Sequence, residues 1–165
     1  MRWQSCAGLT QATTSKATKP VAWLSDDQPG TRAVLILADG CPAWKQYAPG
    51  YSDQTRFISW SMAKTVTAML VGALVTDGRL QLDAPAPIAE WQGTPKAAIT
   101  LRQLLQMRAG LRHTEVGQPV ENSDTNQALF VHGTAAMAAY AIAQPLEARP
   151  DEKFEYSSLT TVILS

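Results

Sequence analysis

Cysteine and histidine are scarce in this chain: each occurs twice, as Cys6 and Cys41 and as His113 and His132. The cysteines form no C-x-x-C pair, and the histidines lie far apart without the partners of a metal-ligand set. No metal and no cofactor is expected, and both thiols are expected to be free, since a disulfide requires oxidising surroundings. Charge is also sparse. Charged residues make up 17%, against a usual share of about 25%, and 14 Lys plus Arg balance 14 Asp plus Glu. Without a basic excess, the electrostatic footprint of a nucleic-acid or anionic-membrane binder is missing. The expected partner is a small-molecule or peptide substrate. No apolar run approaches the about 20 residues that cross a bilayer, so no transmembrane segment is expected in this chain. Residues 1–20 lack the apolar core of a secretory signal. As written the chain reads as cytoplasmic, or as periplasmic or exported if a signal lies upstream.

What is present suffices for a packed domain. Hydrophobic residues are 45% of 165, and a chain of this length can bury roughly 68–70% of its extended surface. Residues 9–20 are polar and Thr-rich, so residues 1–30 are read as a flexible arm and residues 31–165 as the domain. The apolar run Ala33 to Ala38, the turn dipeptide Asp39-Gly40 and the segment ending Trp44-Lys45-Gln46-Tyr47 predict a hairpin. Pro42 confines its second strand to an edge or a late start. Residues 62–75 are apolar on all sides, which predicts a helix buried in a core, stopped near Asp77-Gly78. Prolines and glycine make residues 84–98 a loop. Thr100 and Gln103 have capping-box spacing and open a second helix ending at Gly110. Residues 112–132 read as polar and irregular. An Ala-rich helix over 134–144 stops at Pro145, and an apolar run over 159–164 closes the chain, a run that would normally continue.

The chemistry centres on Ser61 and Lys64. On a helix, residues three apart share a side, so the Lys64 amine can reach the Ser61 hydroxyl. A serine hydroxyl becomes a good nucleophile when a base removes its proton. Lysine serves if burial disfavours its charged form, and Lys64 is the only charged residue in its apolar stretch. At the helix start, unpaired backbone N–H groups and the helix dipole can stabilise an oxyanion. The competing reading is a lysine that snorkels to water.

Ser59-Trp60-Ser61-Met62-Ala63-Lys64, followed by Thr65 and an apolar helix ending in Asp77-Gly78-Arg79-Leu80-Gln81-Leu82-Asp83, resembles the first motif of the β-lactamase and penicillin-binding-protein family, in its class C-type branch. Residues 99–111 resemble the family's next helix, with Ala109 where serine is common. Pro150 to Ser158 resembles the Tyr-x-Asn region, with Tyr156 as the tyrosine and Ser158 in place of asparagine. That replacement is similar to the pattern of 6-aminohexanoate-dimer hydrolase and related esterases. The resemblance implies an α/β (α+β) fold: an antiparallel sheet covered by helices, plus a mostly helical region. It also implies that Ser61, Lys64 and Tyr156 are catalytic, that Tyr156 exchanges protons with Lys64 and the leaving group, and that Ser158 joins that network at the substrate. The family's third motif, Lys-Thr-Gly or His-x-Gly on a strand, is absent. The domain is therefore expected to be partial, with its C-terminal strands missing, and to hydrolyse activated esters poorly by itself.

The resulting expectation is a serine hydrolase acting through an acyl-enzyme on an amide or ester, as a carboxylesterase, amidase or D-alanyl-D-alanine carboxypeptidase-like enzyme. The alternative is a non-catalytic binding module of the same fold, or an inactive fragment. Ser123-Asp124-Thr125 is similar to the Ser-Asp-Asn motif of class A enzymes, but Thr125 spoils the match. The segment is expected to be a polar surface loop.

Overall fold

The computed structural model describes residues 30–39 and 41–165. The expected arm over residues 1–30 thus falls almost wholly outside the described residues. The chain divides into two compact units, residues 1–58 and 59–165.

The first unit carries the expected hairpin, with β1 (Ala33–Ala38) antiparallel to β2 (Cys41–Tyr47). Asp39 takes φ 52°, the left-handed conformation that tight hairpin turns require. The register runs from Ala33 opposite Tyr47 to Ile36 opposite Trp44, then shifts so that Leu37 faces Pro42. The shift leaves Ala43 as the extra residue of a bulge, a feature suited to a proline that lacks an N–H for the ladder. Leu35, Ile36 and Leu37 are exposed. Cys41 corrects the expectation of free thiols: it is buried and disulfide-bonded. Cys6 lies outside the described residues.

The second unit is helical. A 3-10 turn over Trp60–Met62 leads into α1 (Ala63–Thr76). Gly78, at φ 71°, ends α1 as expected. Arg79 N–H donates to Leu74 O at 2.9 Å and Gly78 N–H to Val75 O at 3.1 Å, the paired bonds of a Schellman ending. Burial departs from expectation. Only Val71 of α1 is buried, while Val66, Met69 and Leu70 are exposed. Apolar composition states what a helix would bury, not what is there to cover it. The helix that packs on α1 is α5 (Ser158–Leu164), and it covers one side.

Helix α2 (Leu101–Leu105) has the expected capping box: Gln103 N–H donates to Thr100 Oγ1, and Thr100 N–H to Gln103 Oε1. The helix ends five residues before Gly110, and Met107 takes the left-handed turn. Gly110 serves another purpose. A Cβ there would sit 2.3 Å from Ala148 O, and Glu147 N–H donates to Gly110 O. Glycine lets two backbone segments touch where Leu111 bridges Leu146.

The polar stretch before residue 132 is more regular than predicted. A single turn α3 (Asp124–Asn126) runs into a π-helix over Gln127–His132 and then α4 (Gly133–Ala143). Two apolar clusters hold the unit together. Trp91, Ile99, Leu104, Ala109 and Leu111 form one, and Ala128, Ala141 and Leu159 the other. Ile163 of α5 packs against both, so α5 is the shared wall of the two clusters. Trp91, almost wholly buried, satisfies its indole by donating to Ile142 O at 3.0 Å. No described helix is long and apolar enough to cross a membrane.

Candidate active site

Three segments converge at the start of α5. The first is the 3-10 turn before α1. Trp60 holds φ 44°, a left-handed conformation that costs about 1–3 kcal/mol in a non-glycine residue, and delivers Ser61 at the helix entrance. Lys64, one turn on, is half-buried and Ser61 exposed. The Lys64 Nζ donates to Ser61 Oγ at 3.0 Å.

The second segment is the loop over residues 150–157. It hangs on the end of α2: Asp151 N–H donates to Arg108 O, Glu155 N–H to Met107 O, and Gln103 Nε2 to Asp151 Oδ2. Ser157 caps α5 by accepting from Thr160 N–H. These anchors place Tyr156 and Ser158 beside Lys64. The Lys64 Nζ donates to Ser158 Oγ at 3.0 Å and lies 5.0 Å from the centre of the Tyr156 ring. Tyr156 therefore meets the amine through its ring face, a cation–π arrangement.

The third segment, residues 113–115, was not singled out by sequence. The Glu115 carboxylate is the hub of the site. Its Oε1 accepts from Ser158 Oγ at 2.6 Å. Its Oε2 accepts from Ser158 N–H at 2.8 Å, Thr125 Oγ1 at 3.1 Å and His113 Nε2 at 2.6 Å. Burial opposes its ionisation, but the bonds from Ser158, His113 and Thr125 outweigh burial and hold the carboxyl below its ordinary 4.5. The ionised Glu115 can only accept, so His113 Nε2 is the donor of this bond, and the buried Nδ1 has no partner among the described residues. The H-x-E spacing was a readable signal, since side chains two positions apart can meet, as His113 Nε2 and Glu115 Oε2 do at 2.6 Å.

Ser123-Asp124-Thr125 is not the expected surface loop. Ser123 and Asp124 are 3% and 8% exposed. Ser123 Oγ donates to Glu115 O. Asp124 accepts from Thr114 N–H at 2.7 Å and Tyr140 Oη at 2.6 Å. Backbone donors and a tyrosine satisfy these polar groups, so burial costs them little. The motif clamps the irregular segment that presents Glu115.

Ser61, Lys64, Glu115 and Ser158 open onto a cleft of 570 Å³ whose walls include Trp60, Val116, Leu129 and Phe130. This volume suits a small organic ligand, a class whose pockets run from about 300 to 1,000 Å³. Among the described residues no cluster of His, Cys, Asp and Glu could hold a metal ion.

The chain is similar in structure to a candidate 6-aminohexanoate-dimer hydrolase from Bacillus anthracis, with a TM-score of 0.64 and 21% identity. The likeness covers 84% of this chain and 39% of that protein, so the chain spans about two fifths of its structural relative's length. No curated protein matches the sequence. The Beta-lactamase family matches residues 25–165, a span that holds the hairpin and every residue of the converging site, and the chain belongs to that family.

Proposed function

We propose that this chain carries the nucleophile and base of a serine hydrolase that cleaves an amide or ester bond through an acyl-enzyme. Membership of the Beta-lactamase family points to hydrolysis, and one distance supports the assignment of roles: the 3.0 Å between Lys64 Nζ and Ser61 Oγ. In its neutral form Lys64 takes the Ser61 proton as Oγ attacks the carbonyl carbon. The resulting ammonium returns that proton to the leaving nitrogen or oxygen as its bond to carbon breaks. Water then attacks the Ser61 ester as Lys64 takes its proton, and Lys64 returns that proton to Ser61 Oγ as the acyl C–O bond breaks and the acid leaves.

Ser158 holds the amine by accepting an N–H from it at 3.0 Å. The Tyr156 ring packs over the ammonium at 5.0 Å, and its hydroxyl, which makes no hydrogen bond within the described residues, is the proposed partner in proton exchange with the leaving group. The apolar cleft walls favour an uncharged acyl group. Serine at position 158, where lactamases carry asparagine, favours a linear amide or an ester over a lactam.

The test is mass-spectrometric mapping of the protein after reaction with a fluorophosphonate. A single adduct on Ser61, lost in Ser61→Ala and slowed by about 10²–10⁴ in Lys64→Ala, is expected. A folded protein that takes no label, or takes it elsewhere, rejects the assignment. Ligand binding that persists in Ser61→Ala without any wild-type adduct would favour the non-catalytic module instead.

A further inference from the structure

We infer that Glu115 is a positioning residue which, through Ser158, turns the lone pair of Lys64 toward Ser61. The inference rests on the acyl-enzyme reading above and adds to it a direction. A neutral amine has one lone pair and must aim it at the hydroxyl it deprotonates. An ionised carboxylate only accepts, whereas a serine hydroxyl has one proton and two acceptor sites. Glu115 Oε1 lies 2.6 Å from Ser158 Oγ, so the single Ser158 proton is committed to Glu115. Ser158 then has nothing to give Lys64 and can only accept an N–H from it, across 3.0 Å. In the neutral amine one N–H goes to Ser158, and the lone pair, which Ser158 cannot occupy, stays open to the Ser61 hydroxyl, also at 3.0 Å, where the charged amine instead donates. The row Lys64–Ser158–Glu115 thus has a fixed polarity set by the one charge at its end, and Ser158 never competes with Ser61 for the lone pair.

The site also predicts what an isosteric amide does. Three donors, Ser158 N–H, Thr125 Oγ1 and His113 Nε2, meet Oε2, against one at Oε1. Of these only the Ser158 N–H is unable to accept, so in Glu115→Gln it keeps the amide oxygen at the Oε2 position and the amide NH₂ faces Ser158 Oγ. The hydroxyl must then accept from the amide and point its own proton at Lys64, occupying the lone pair that Ser61 needs. The substitution keeps the shape of the site and reverses its polarity.

The test is a double-mutant cycle on the rate of fluorophosphonate adduct formation at Ser61, using the wild type, Glu115→Gln, Ser158→Ala and the double variant, with thermal unfolding followed for each. Glu115→Gln is expected to slow labelling about 10²-fold, the scale of a lost general base. Ser158→Ala should slow it only about tenfold, because the amine is then free rather than misdirected. The double variant should match Ser158→Ala within about twofold, since Glu115 acts through Ser158. If Glu115→Gln costs the same factor with and without Ser158, its role is merely structural and the inference is overturned. A wild type that takes no label at Ser61 removes the acyl-enzyme reading itself, a result distinct from an additive cycle. Should Glu115→Gln fail to fold, Glu115→Asp, which keeps the charge but withdraws it from Ser158 Oγ, replaces it in the same cycle with the same criterion of non-additivity.

Discussion

Replacing Asp124 by alanine removes the acceptor that joins α4 to the segment carrying Glu115, and its cost can be worked out from the contacts. Two donors lose a partner: Thr114 N–H at 2.7 Å and Tyr140 Oη at 2.6 Å. A net hydrogen bond to a charged group contributes about 1.5–3 kcal/mol. Asp124 itself is buried, but Thr114 is exposed and Tyr140 half-buried, so water can reach both orphaned donors. The lower end of the range therefore applies to each, about 3 kcal/mol together. That is a large share of a typical stability of about 5–15 kcal/mol. Tyr140→Phe removes one of the two bonds and should cost about 1.5 kcal/mol. In the Asp124→Ala background the same change should cost almost nothing, because the acceptor is already gone. Urea unfolding of the four proteins measures the cycle. A cost below about 1 kcal/mol for Asp124→Ala, or an undiminished Tyr140→Phe effect beside it, would refute the claim that this carboxylate is a buried clamp.

The remaining predictions concern the site directly. Glu115 has its folded-state ionisation depressed below 4.5, so its contribution to stability is complete above that pH and is lost as pH falls through the folded value. Unfolding free energy should therefore fall more steeply between pH 5 and 3, taken as rough bounds, in the wild type than in Glu115→Gln; parallel curves would contradict this. Tyr156→Phe keeps the ring over Lys64 and should leave fluorophosphonate labelling of Ser61 nearly unchanged while slowing turnover of an amide with a poor leaving group. Tyr156→Ala removes the ring as well and should slow both; equal effects of the two variants on labelling would show that the ring contributes nothing to placing the amine.

The parts of this site that could be read from sequence are those fixed by local geometry. Ser61 and Lys64 are three residues apart on a helical turn, and that spacing alone dictates their meeting. The Thr100–Gln103 capping box and the Gly78 ending were readable for the same reason, because each bond closes within a few residues. Ser158 lies 94 positions from Lys64, and nothing local ties them; the family resemblance supplied that pairing. Glu115 escaped because it sits in a polar stretch where composition cannot separate a solvated carboxylate from one that collects four hydrogen bonds. The same ambiguity misplaced Ser123 and Asp124, since polar residues leave the surface whenever backbone groups are positioned to satisfy them. The opposite error occurred at α1, whose apolar residues state a demand for cover that α5 meets on only one side.

These two errors share a cause that bears on the chemistry. An oily helix suggested that desolvation prepares Lys64, yet most of α1 is exposed and the amine stands among two hydroxyls, an aromatic face and, one bond further, a carboxylate. Preparation by solvent exclusion acts on how readily the amine loses its proton and says nothing of where its lone pair points. Preparation by a directed row of hydrogen bonds acts on orientation, which is the quantity that decides whether a base 3.0 Å from a hydroxyl can use it. The first device would be sensitive to any change that admits water around α1. The second would tolerate such changes and fail on a single isosteric substitution at Glu115. A Val66→Ser or Met69→Gln variant that labels at the wild-type rate, beside a Glu115→Gln variant that does not, would separate them in favour of the directed row.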